Sequence, residues 1–403
     1  MREVIILGST GSIGTQALEV IAANRDRYKV KALAAGGAQL KLLAQQAAAF
    51  GAEVVSISRM GCEDEFLEIW QALFPAMNPP QILAGAESAA ATAALGGSAS
   101  IVLNGITGSV GLGPTLSALK SGSALALANK ESLVAGGVLV KNAMRRPGQI
   151  VPVDSEHSAI AQVLCAGRHH RGLTVPQIDG TSEVAKIILT ASGGPFRGKK
   201  RGDLAQVTLQ QALNHPTWEM GPVVTINSAT LFNKALELIE AVYLFEIDPE
   251  DIVPVVHPQS VVHSMVQFCD GSTIAQASPP DMKLPIALGL SWPERLTEVS
   301  RPCDWSTAAS WEFMPLDHQT FPAIKLARAA LQASPLHPAV MNAANEECVS
   351  AFLKQNLRYL EIMEIVERVL ENFTYAGEVS LQSVAAAEAW ARAYTHELIG
   401  ENS

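Results

Sequence analysis

The sequence predicts an α/β protein in three parts: a doubly wound parallel sheet first, an α+β domain next, and an all-α domain at the C-terminus. The first part follows from strand-length apolar runs alternating with amphipathic helical stretches between Glu3 and Val153, the pattern of a parallel sheet covered by helices. The second follows from the runs between Val253 and Ser278, read as antiparallel and joined at Asp270-Gly271, a dipeptide that favours tight hairpin turns. The third follows from helical periodicity over Pro322–Gln332, Pro338–Gln355, Leu360–Asn372 and Leu381–Glu397. The expected boundaries are 1–152, 153–291, a surface linker at 292–318, and 319–403.

A chain of 403 residues with 48% hydrophobic content exceeds one ordinary core and has apolar surface for several. Its formal net charge of −10 gives nucleic acid no overall attraction, while a small phosphorylated ligand needs only a local cationic pocket. The five cysteines, Cys62, Cys165, Cys269, Cys303 and Cys348, are odd in number, far apart and without a Cys-x-x-Cys pair. They read as free thiols of a reducing compartment. A strand beginning at Glu3 leaves no room for a targeting peptide, and glycines with Pro114 break the uncharged run Ser88–Leu119, so it does not read as a membrane span. The expectation is a cytoplasmic protein without membrane contact.

The first strand, Glu3–Leu7, leads into Gly8-Ser9-Thr10-Gly11-Ser12-Ile13-Gly14 and an amphipathic helix, Thr15–Ala23. Strand, glycine-rich turn and helix are the context of a dinucleotide phosphate site, because glycines admit pyrophosphate to the backbone and the helix start presents unpaired N–H groups. The domain is therefore expected to be Rossmann-like, although a tight turn alone could use the same glycines. The second strand, Lys29–Ala35, ends in Gly36-Gly37-Ala38-Gln39 without the acid that holds an NAD ribose, which favours NADP. Lys41 and Arg59 are the nearest cations for a 2′-phosphate. Further strands are expected at Val54–Ile57, Ile82–Ala84, Ser100–Leu103 and Ala124–Ala128. Two of these end in polar clusters, Asn104–Gly108 and Asn129-Lys130-Glu131-Ser132, which read either as helix caps or as groups beside a nicotinamide. Lys130 at a helix start opposes the helix dipole, which leaves it without a stabilising reason to be there.

Gln149–Val153 is a strand running into Asp154-Ser155-Glu156-His157-Ser158, with a helix from near Ser158. Strand alternation turns Asp154 and Glu156 to one side, roughly 6.5–7 Å apart along the chain. That suits two oxygen ligands on one divalent cation; an N-cap with first-turn acids is the other reading. After the strand Lys186–Thr190, Ala191-Ser192-Gly193-Gly194-Pro195-Phe196 is a small-residue turn that could cradle an anion or simply bend. In His215–Pro222, Trp218 and Met220 suit a mobile lid as well as an anchored loop. Ile226–Ala241 reads as one helix with Asn233, Lys234 and Glu237 within an arc of about 100°. Ser228 stands at its N-terminus, where phosphate is favoured, and a solvated Lys–Glu face is the alternative. His257 and His263 lie in strands, where a histidine reads by default as buried and satisfied by backbone, and the outward surface of such strands suits an isologous dimer. Pro280–Leu290 is a short helix bearing Met282.

Gly8–Gln16 (GSTGSIGTQ), Ala128–Ser132 (ANKES), Val153–Ala159 (VDSEHSA), Ser192–Phe196 (SGGPF), His215–Gly221 (HPTWEMG), Asn227–Ala241 (NSATLFNKALELIEA) and His257–Val266 (HPQSVVHSMV) stand in one order along the chain. Together they strongly resemble the 1-deoxy-D-xylulose 5-phosphate reductoisomerase family of the non-mevalonate isoprenoid pathway, over essentially the whole sequence. The resemblance implies NADPH-dependent conversion of 1-deoxy-D-xylulose 5-phosphate to 2-C-methyl-D-erythritol 4-phosphate with Mg²⁺, Mn²⁺ or Co²⁺. It implies Asp154, Glu156 and Glu237 as metal ligands, and Ser192, Ser228, Asn233 and Lys234 around the substrate phosphate. Ser155 would touch a substrate hydroxyl. Lys130 would stand between substrate and cofactor, and with Glu156, His157, His215 and His263 would make up the catalytic set. Trp218 and Met220 would close over the substrate. Cofactor contacts would come from Gly8, Ser9, Thr10, Gly11, Ser12, Ile13, Gly36, Gly37, Gln39, Asn129, Glu131 and Gly221, with Met282 near the nicotinamide.

The implied chemistry is a retro-aldol/aldol rearrangement eased by a Lewis-acidic cation, then hydride reduction of the aldehyde under a lid that excludes water. A homodimer is expected. One departure from the family stands at Gly37 and Ala38, where relatives carry a longer basic or Asn-bearing side chain; it bears on the ribose and 2′-phosphate contacts rather than on the reaction. Two other readings share the N-terminal fold. A metal-free semialdehyde- or homoserine-type dehydrogenase has no use for Asp154, Glu156 and Glu237 together, and a dinucleotide-sensing binding module needs neither lid nor cation site.

Overall fold

Seven short parallel strands form the first sheet of the computed structural model, which describes residues 1–217 and 220–401. They are β1 (Arg2–Leu7), β2 (Tyr28–Ala35), β3 (Val54–Ile57), β4 (Gln81–Ala84), β5 (Ile101–Asn104), β6 (Ala124–Leu127) and β7 (Ile150–Pro152). Val4 to Leu7 are fully buried, as a parallel strand covered on both faces must be. The helices of this part are α1 (Ser12–Ala22), α2 (Leu40–Phe50), α3 (Glu63–Leu73), α4 (Ser88–Ala93), α5 (Leu112–Ser121) and α6 (Glu131–Ala143), and α7 (Ser155–Leu164), which follows β7, packs mainly on the second sheet. The strand order β4-β3-β2-β1-β5-β6-β7 reverses direction between β1 and β5. At such a switch point the connecting segments leave toward opposite faces and open a crevice beyond the strand ends.

The second sheet is built from β8 (Val184–Ala191), β9 (Ile252–Val256), β10 (Val262–Phe268), β11 (Thr273–Ala277) and β12 (Met314–Pro315), in the order β11-β10-β8-β9-β12. It is mixed, which corrects the all-antiparallel expectation for Val253–Ser278. The β10–β11 hairpin is antiparallel as its Asp-Gly turn predicts, but β8 inserts between β10 and β9 and pairs parallel to β9. The crossover from β8 to β9 carries α8 (Leu209–Leu213), α9 (Pro222–Ala229) and α10 (Phe232–Phe245). The expected single helix over Ile226–Ala241 is thus two helices, broken where Leu231 adopts a left-handed conformation at φ 58°. Ser228 consequently lies in the last turn of α9 and not at a helix N-terminus.

Helix α11 (Lys283–Ser291) returns to the first sheet, where Ile286, Ala287 and Leu290 share a cluster with Val4, Ile6 and Leu33. Gly289 permits this approach: a Cβ there would stand 2.9 Å from Val153 Cγ2. The C-terminal helices α12 (Ala323–Ala333), α13 (His337–Leu353), α14 (Tyr359–Asn372) and α15 (Leu381–Glu401) follow as periodicity predicts. They join the core of the second domain through α10, in which Phe232 and Phe245 are fully buried. Among the described residues no helix is long and apolar enough to cross a membrane.

The bundle also reaches the site. The Tyr359 hydroxyl donates to Ala229 O at 2.7 Å, and its ring meets Phe196 edge-on at 5.0 Å between centroids. One buried side chain therefore ties the C-terminal bundle to the end of α9 and to the turn after β8. Tyr359→Phe keeps the ring but orphans the buried carbonyl, so denaturant unfolding should show a loss of about 1–2 kcal/mol.

Candidate active site

The switch-point crevice widens into a cavity of about 750 Å³ between the two sheets, within the range of small-molecule sites. One wall is the turn after β1. Gly11 caps α1 without any side-chain acceptor, and no acid stands in the first turn of that helix, so the N–H groups at its start face the crevice uncompensated. Gly11, Ser12 and Ile13 line the cavity; Gly8, Ser9, Thr10, Gly36, Gly37 and Gln39 are not among the lining residues. Ser9 is fully buried, with its carbonyl held by Gln46, and Gln39 reaches Thr10 O. Gly8 and Gly14 serve close packing: a Cβ on Gly8 would lie 2.7 Å from Gly105 O, and one on Gly14 2.3 Å from Gly8 O.

The Asn129–Glu131 cluster divides its labour. Asn129 is buried, donates to Ile106 O and Gly108 O, and accepts from Ser132 N, which braces the loop after β5. Glu131 lines the cavity and accepts from Gly108 N, its carboxyl raised in pKa by burial. Lys130 projects across the crevice to Asp154 Oδ2 at 3.0 Å, Asn233 Oδ1 at 3.0 Å and Glu237 Oε1 at 3.3 Å. Burial alone would lower its pKa, but Asp154 and Glu237 hold it well above the ordinary lysine value.

Asp154, Glu156 and Glu237 converge on the opposite wall, with ligand oxygens within 4.8 Å of one another. Helix α7 begins at Ser155 rather than near Ser158, so capping geometry and not strand alternation aims the first pair. Asp154 Oδ1 accepts from the N–H groups of Glu156 and His157 as an N-cap, while Oδ2 faces the site. The capping reading holds, and the second carboxylate oxygen stays directed at the site. Lys234 bridges Glu156 at 3.0 Å and also bonds Glu237, the two lysines setting their charge against three carboxylates. Against the cost of burial, Lys130 and His157 keep Asp154 well below the usual carboxylate range, whereas burial and Glu156 push Glu237 up.

His157 is not among the cavity-lining residues. It lies behind Asp154 with no exposed surface, its Nε2 donating to Glu237 O at 2.8 Å and its Nδ1 facing Asp154 and Glu240 at 3.0 and 3.2 Å. Both ring nitrogens meet only oxygen acceptors, which an imidazolium satisfies. Burial would lower its pKa, yet Glu240 and Asp154 raise it to about 9, while burial lifts Glu240 to about 7. Sequence reading passed over Glu240; its only signal is a second acid one turn beyond Glu237 on an otherwise apolar stretch.

Ser192, His215 and Ser228 meet at one end of the cavity, while Asn233 and Lys234 line it among the carboxylates. His215 Nδ1 accepts from Thr217 N, so Nε2 bears the proton and reaches the hydroxyls of Ser192 and Ser228 at 3.1 Å each. Burial lowers the pKa of His215 and of His263, whose Nε2 donates to Ser278 O. Gly194 (φ 64°) lets the turn approach α9, since a Cβ there would stand 2.6 Å from Ser228 O. Ser155, Met220, Gly221 and Met282 also line the cavity, as do Thr107, Thr190, Ser260 and Asp281, which sequence reading did not single out. Trp218 lies outside the described residues.

A glycine turn at a helix start facing a carboxylate triad, with serine, histidine and lysine donors lining the same crevice, suits one class: metal-assisted, dinucleotide-dependent enzymes of small phosphorylated substrates. Residues 4–137 match the family model of 1-deoxy-D-xylulose 5-phosphate reductoisomerase, 150–245 that of its C-terminal domain, and 277–394 the DXP reductoisomerase C-terminal domain. The chain is 57% identical over 402 residues to the 1-deoxy-D-xylulose 5-phosphate reductoisomerase of Beutenbergia cavernae, covering 99% of this chain and 98% of that one. It is 50% identical to the enzyme of Streptomyces coelicolor over 100% of this chain and 94% of the relative. The Zymomonas mobilis reductoisomerase in complex with NADPH superposes with a TM-score of 0.88 at 39% identity, covering 99% of both chains. A DOX-P reductoisomerase in complex with NADPH, fosmidomycin and magnesium gives 0.87 at 34%, covering 99% of this chain and 98% of the other. The chain belongs to the 1-deoxy-D-xylulose 5-phosphate reductoisomerase family.

Proposed function

We propose that this chain converts 1-deoxy-D-xylulose 5-phosphate to 2-C-methyl-D-erythritol 4-phosphate, using NADPH and a divalent cation. The observation that carries the reading is the convergence of Asp154, Glu156 and Glu237 opposite the turn after β1. Their oxygens, within 4.8 Å of one another, can share a centre at the roughly 2.0–2.6 Å bond lengths of Mg²⁺, Mn²⁺ and related oxygen-bound cations. When bound, the cation supplies Lewis acidity toward the substrate's carbonyl and hydroxyl oxygens, and the cofactor supplies the hydride.

The chain's own residues do the rest. Lys130 remains charged on the wall between the turn after β1 and the carboxylates, a fixed cation for negative charge developing on the substrate. Ser192, Ser228, Asn233 and Lys234 take the phosphate, with His215 joining as a neutral Nε2–H donor. That anchor fixes the distal end, so its binding energy orients the reacting carbons. Ser155 takes a substrate hydroxyl, a role its position on the cavity lining supports, and His263 lines the same cavity. Glu131, Gly221 and Met282 border the nicotinamide end, and Met220 covers the substrate. His157 acts from behind Asp154, orienting it through Nδ1.

Substrate-dependent oxidation of NADPH, followed by its absorbance, should cease on chelation and return with Mn²⁺ or Mg²⁺. Persistence in excess EDTA would remove the metal assignment and favour a metal-free dehydrogenase; turnover absent under every condition would favour a binding module. The assembly we infer is a two-fold dimer in the cytoplasm. β11 is the edge of its sheet, with Thr273, Ile274 and Ala275 exposed, and an exposed edge strand presents unpaired backbone groups to a second copy. Light scattering at the mass of one chain would contradict it.

A further inference from the structure

We propose that Arg59 selects NADPH over NADH in this chain, by holding the cofactor's 2′-phosphate at the end of β2; this rests on the NADPH-dependent reading above. In a doubly wound sheet the adenosine ribose lies over the strand next to the phosphate-binding turn. That strand is β2, which pairs with β1 and ends in Gly36 and Gly37, with no acid for ribose hydroxyls and no side chain for a phosphate.

Arg59 fills that place from the neighbouring strand. β3 runs parallel to β2 with Ile57 opposite Ala35, and the chain beyond it stays fastened to the end of β2. Ser58 N donates to Ala35 O at 3.0 Å and Arg59 N donates to Gly36 O at 3.2 Å. The Arg59 side chain then crosses Gly37. A Cβ on Gly37 would stand 2.8 Å from Arg59 Cβ and 3.5 Å from its Nε, and the glycine's φ of 103° disfavours any side chain there. A residue at 37 with its own long side chain and an arginine crossing from 59 are thus alternatives for one space. This chain has the second.

The guanidinium is available. Its side chain is 47% exposed and bonds Glu65 in the first turn of α3, a pair that is weak at such exposure. The planar fork carries five N–H donors, so a carboxylate on one edge leaves others for bidentate contact with a phosphate. Glu65 fixes the fork without consuming it. The surroundings are otherwise acidic, with Glu63 and Asp64 beside Glu65, which would repel a dianion that lacked Arg59. Met60, 80% exposed next to Arg59, adds an apolar face at the same rim. Lys41, in the first turn of α2, is the competing cation.

The test is binding of NADPH and of NADH to the full-length chain without substrate, read from nucleotide fluorescence. Arg59→Ala should weaken NADPH about 10–100-fold, the scale of one bidentate charge-assisted contact, and NADH less than about twofold. Lys41→Ala should leave the ratio of the two affinities unchanged. In competition, 2′-phosphorylated adenosine nucleotides should lose their advantage over unphosphorylated ones in Arg59→Ala alone. An unchanged ratio in Arg59→Ala, or a ratio lost in Lys41→Ala, would overturn the proposal. A wild-type chain that binds neither nucleotide would overturn the NADPH-dependent reading itself.

Discussion

Replacing Glu237 by Gln should reduce kcat/KM by about 1000-fold, the several kcal/mol a Lewis-acidic cation contributes to charge stabilisation, while NADPH binding stays near the wild-type value. Glu237 is buried, and bonds Lys234, Asn233 and Lys130 at once. Glutamine conserves its volume and one acceptor, so the wall keeps its shape. What is lost is the negative charge that Lys130 and Lys234 partly neutralise and that the cation needs. Because burial and Glu156 already push the Glu237 carboxyl upward in pKa, its ionised form is costly in the apo chain. The variant should therefore fold at least as firmly as the wild type, since removing one of three crowded carboxylates relieves repulsion. Mn²⁺ titration of wild type and variant, beside NADPH fluorescence, checks both halves. Undiminished Mn²⁺ affinity would remove Glu237 from the ligand set, and parallel loss of NADPH binding would assign it a structural role.

The parts of this protein that sequence makes legible are those written locally. Apolar runs, glycine punctuation and helical period place β1 to β7, the turn after β1 and the C-terminal helices within a few residues. Helical period also puts Asn233, Lys234 and Glu237 on one face. What escapes is written in distant contacts. No glycine or proline marks the break at Thr230-Leu231, because burial of Leu231 compensates for its left-handed backbone, and so Ser228 could not be placed at a helix end correctly. The insertion of β8 between β9 and β10 depends on a crossover that no local pattern encodes. The C-terminal helices carry no local motif that points to the site, yet Tyr359 holds Ala229 and Asn345 Nδ2 donates to Asn227 Oδ1 at 2.9 Å, fastening the helix that carries Ser228. At Asp154 the cap and the candidate ligand are compatible readings: one carboxylate oxygen serves the helix, and the capping bonds aim the second at the site.

Gly14→Ala should cost about 3 kcal/mol of stability, at the upper end of overpacking effects, and should weaken NADPH about 100-fold or more as the start of α1 is displaced. The added methyl would stand 2.3 Å from Gly8 O and 2.5 Å from Ser9 Cα, both backbone atoms of a turn that is itself fixed. Gly8 cannot retreat, because it is pressed against Gly105 O on its other side and bonded through its N–H to Ala34 O. The helix must move, and its uncompensated N–H groups move with it, away from the crevice where a pyrophosphate would meet them. Gly11→Ala provides the contrast. Its methyl would meet only Gly8 O, at 3.3 Å, so thermal unfolding should change little. Gly11 nevertheless lines the cavity, so a methyl there should obstruct a phosphate and weaken NADPH binding. Loss of stability and affinity together in Gly14→Ala, against loss of affinity alone in Gly11→Ala, would separate the glycine that lets the helix pack from the one that lets the ligand approach. Equal unfolding midpoints for Gly14→Ala and wild type would mean that the turn is softer than its backbone contacts require, and that its glycines serve the ligand alone.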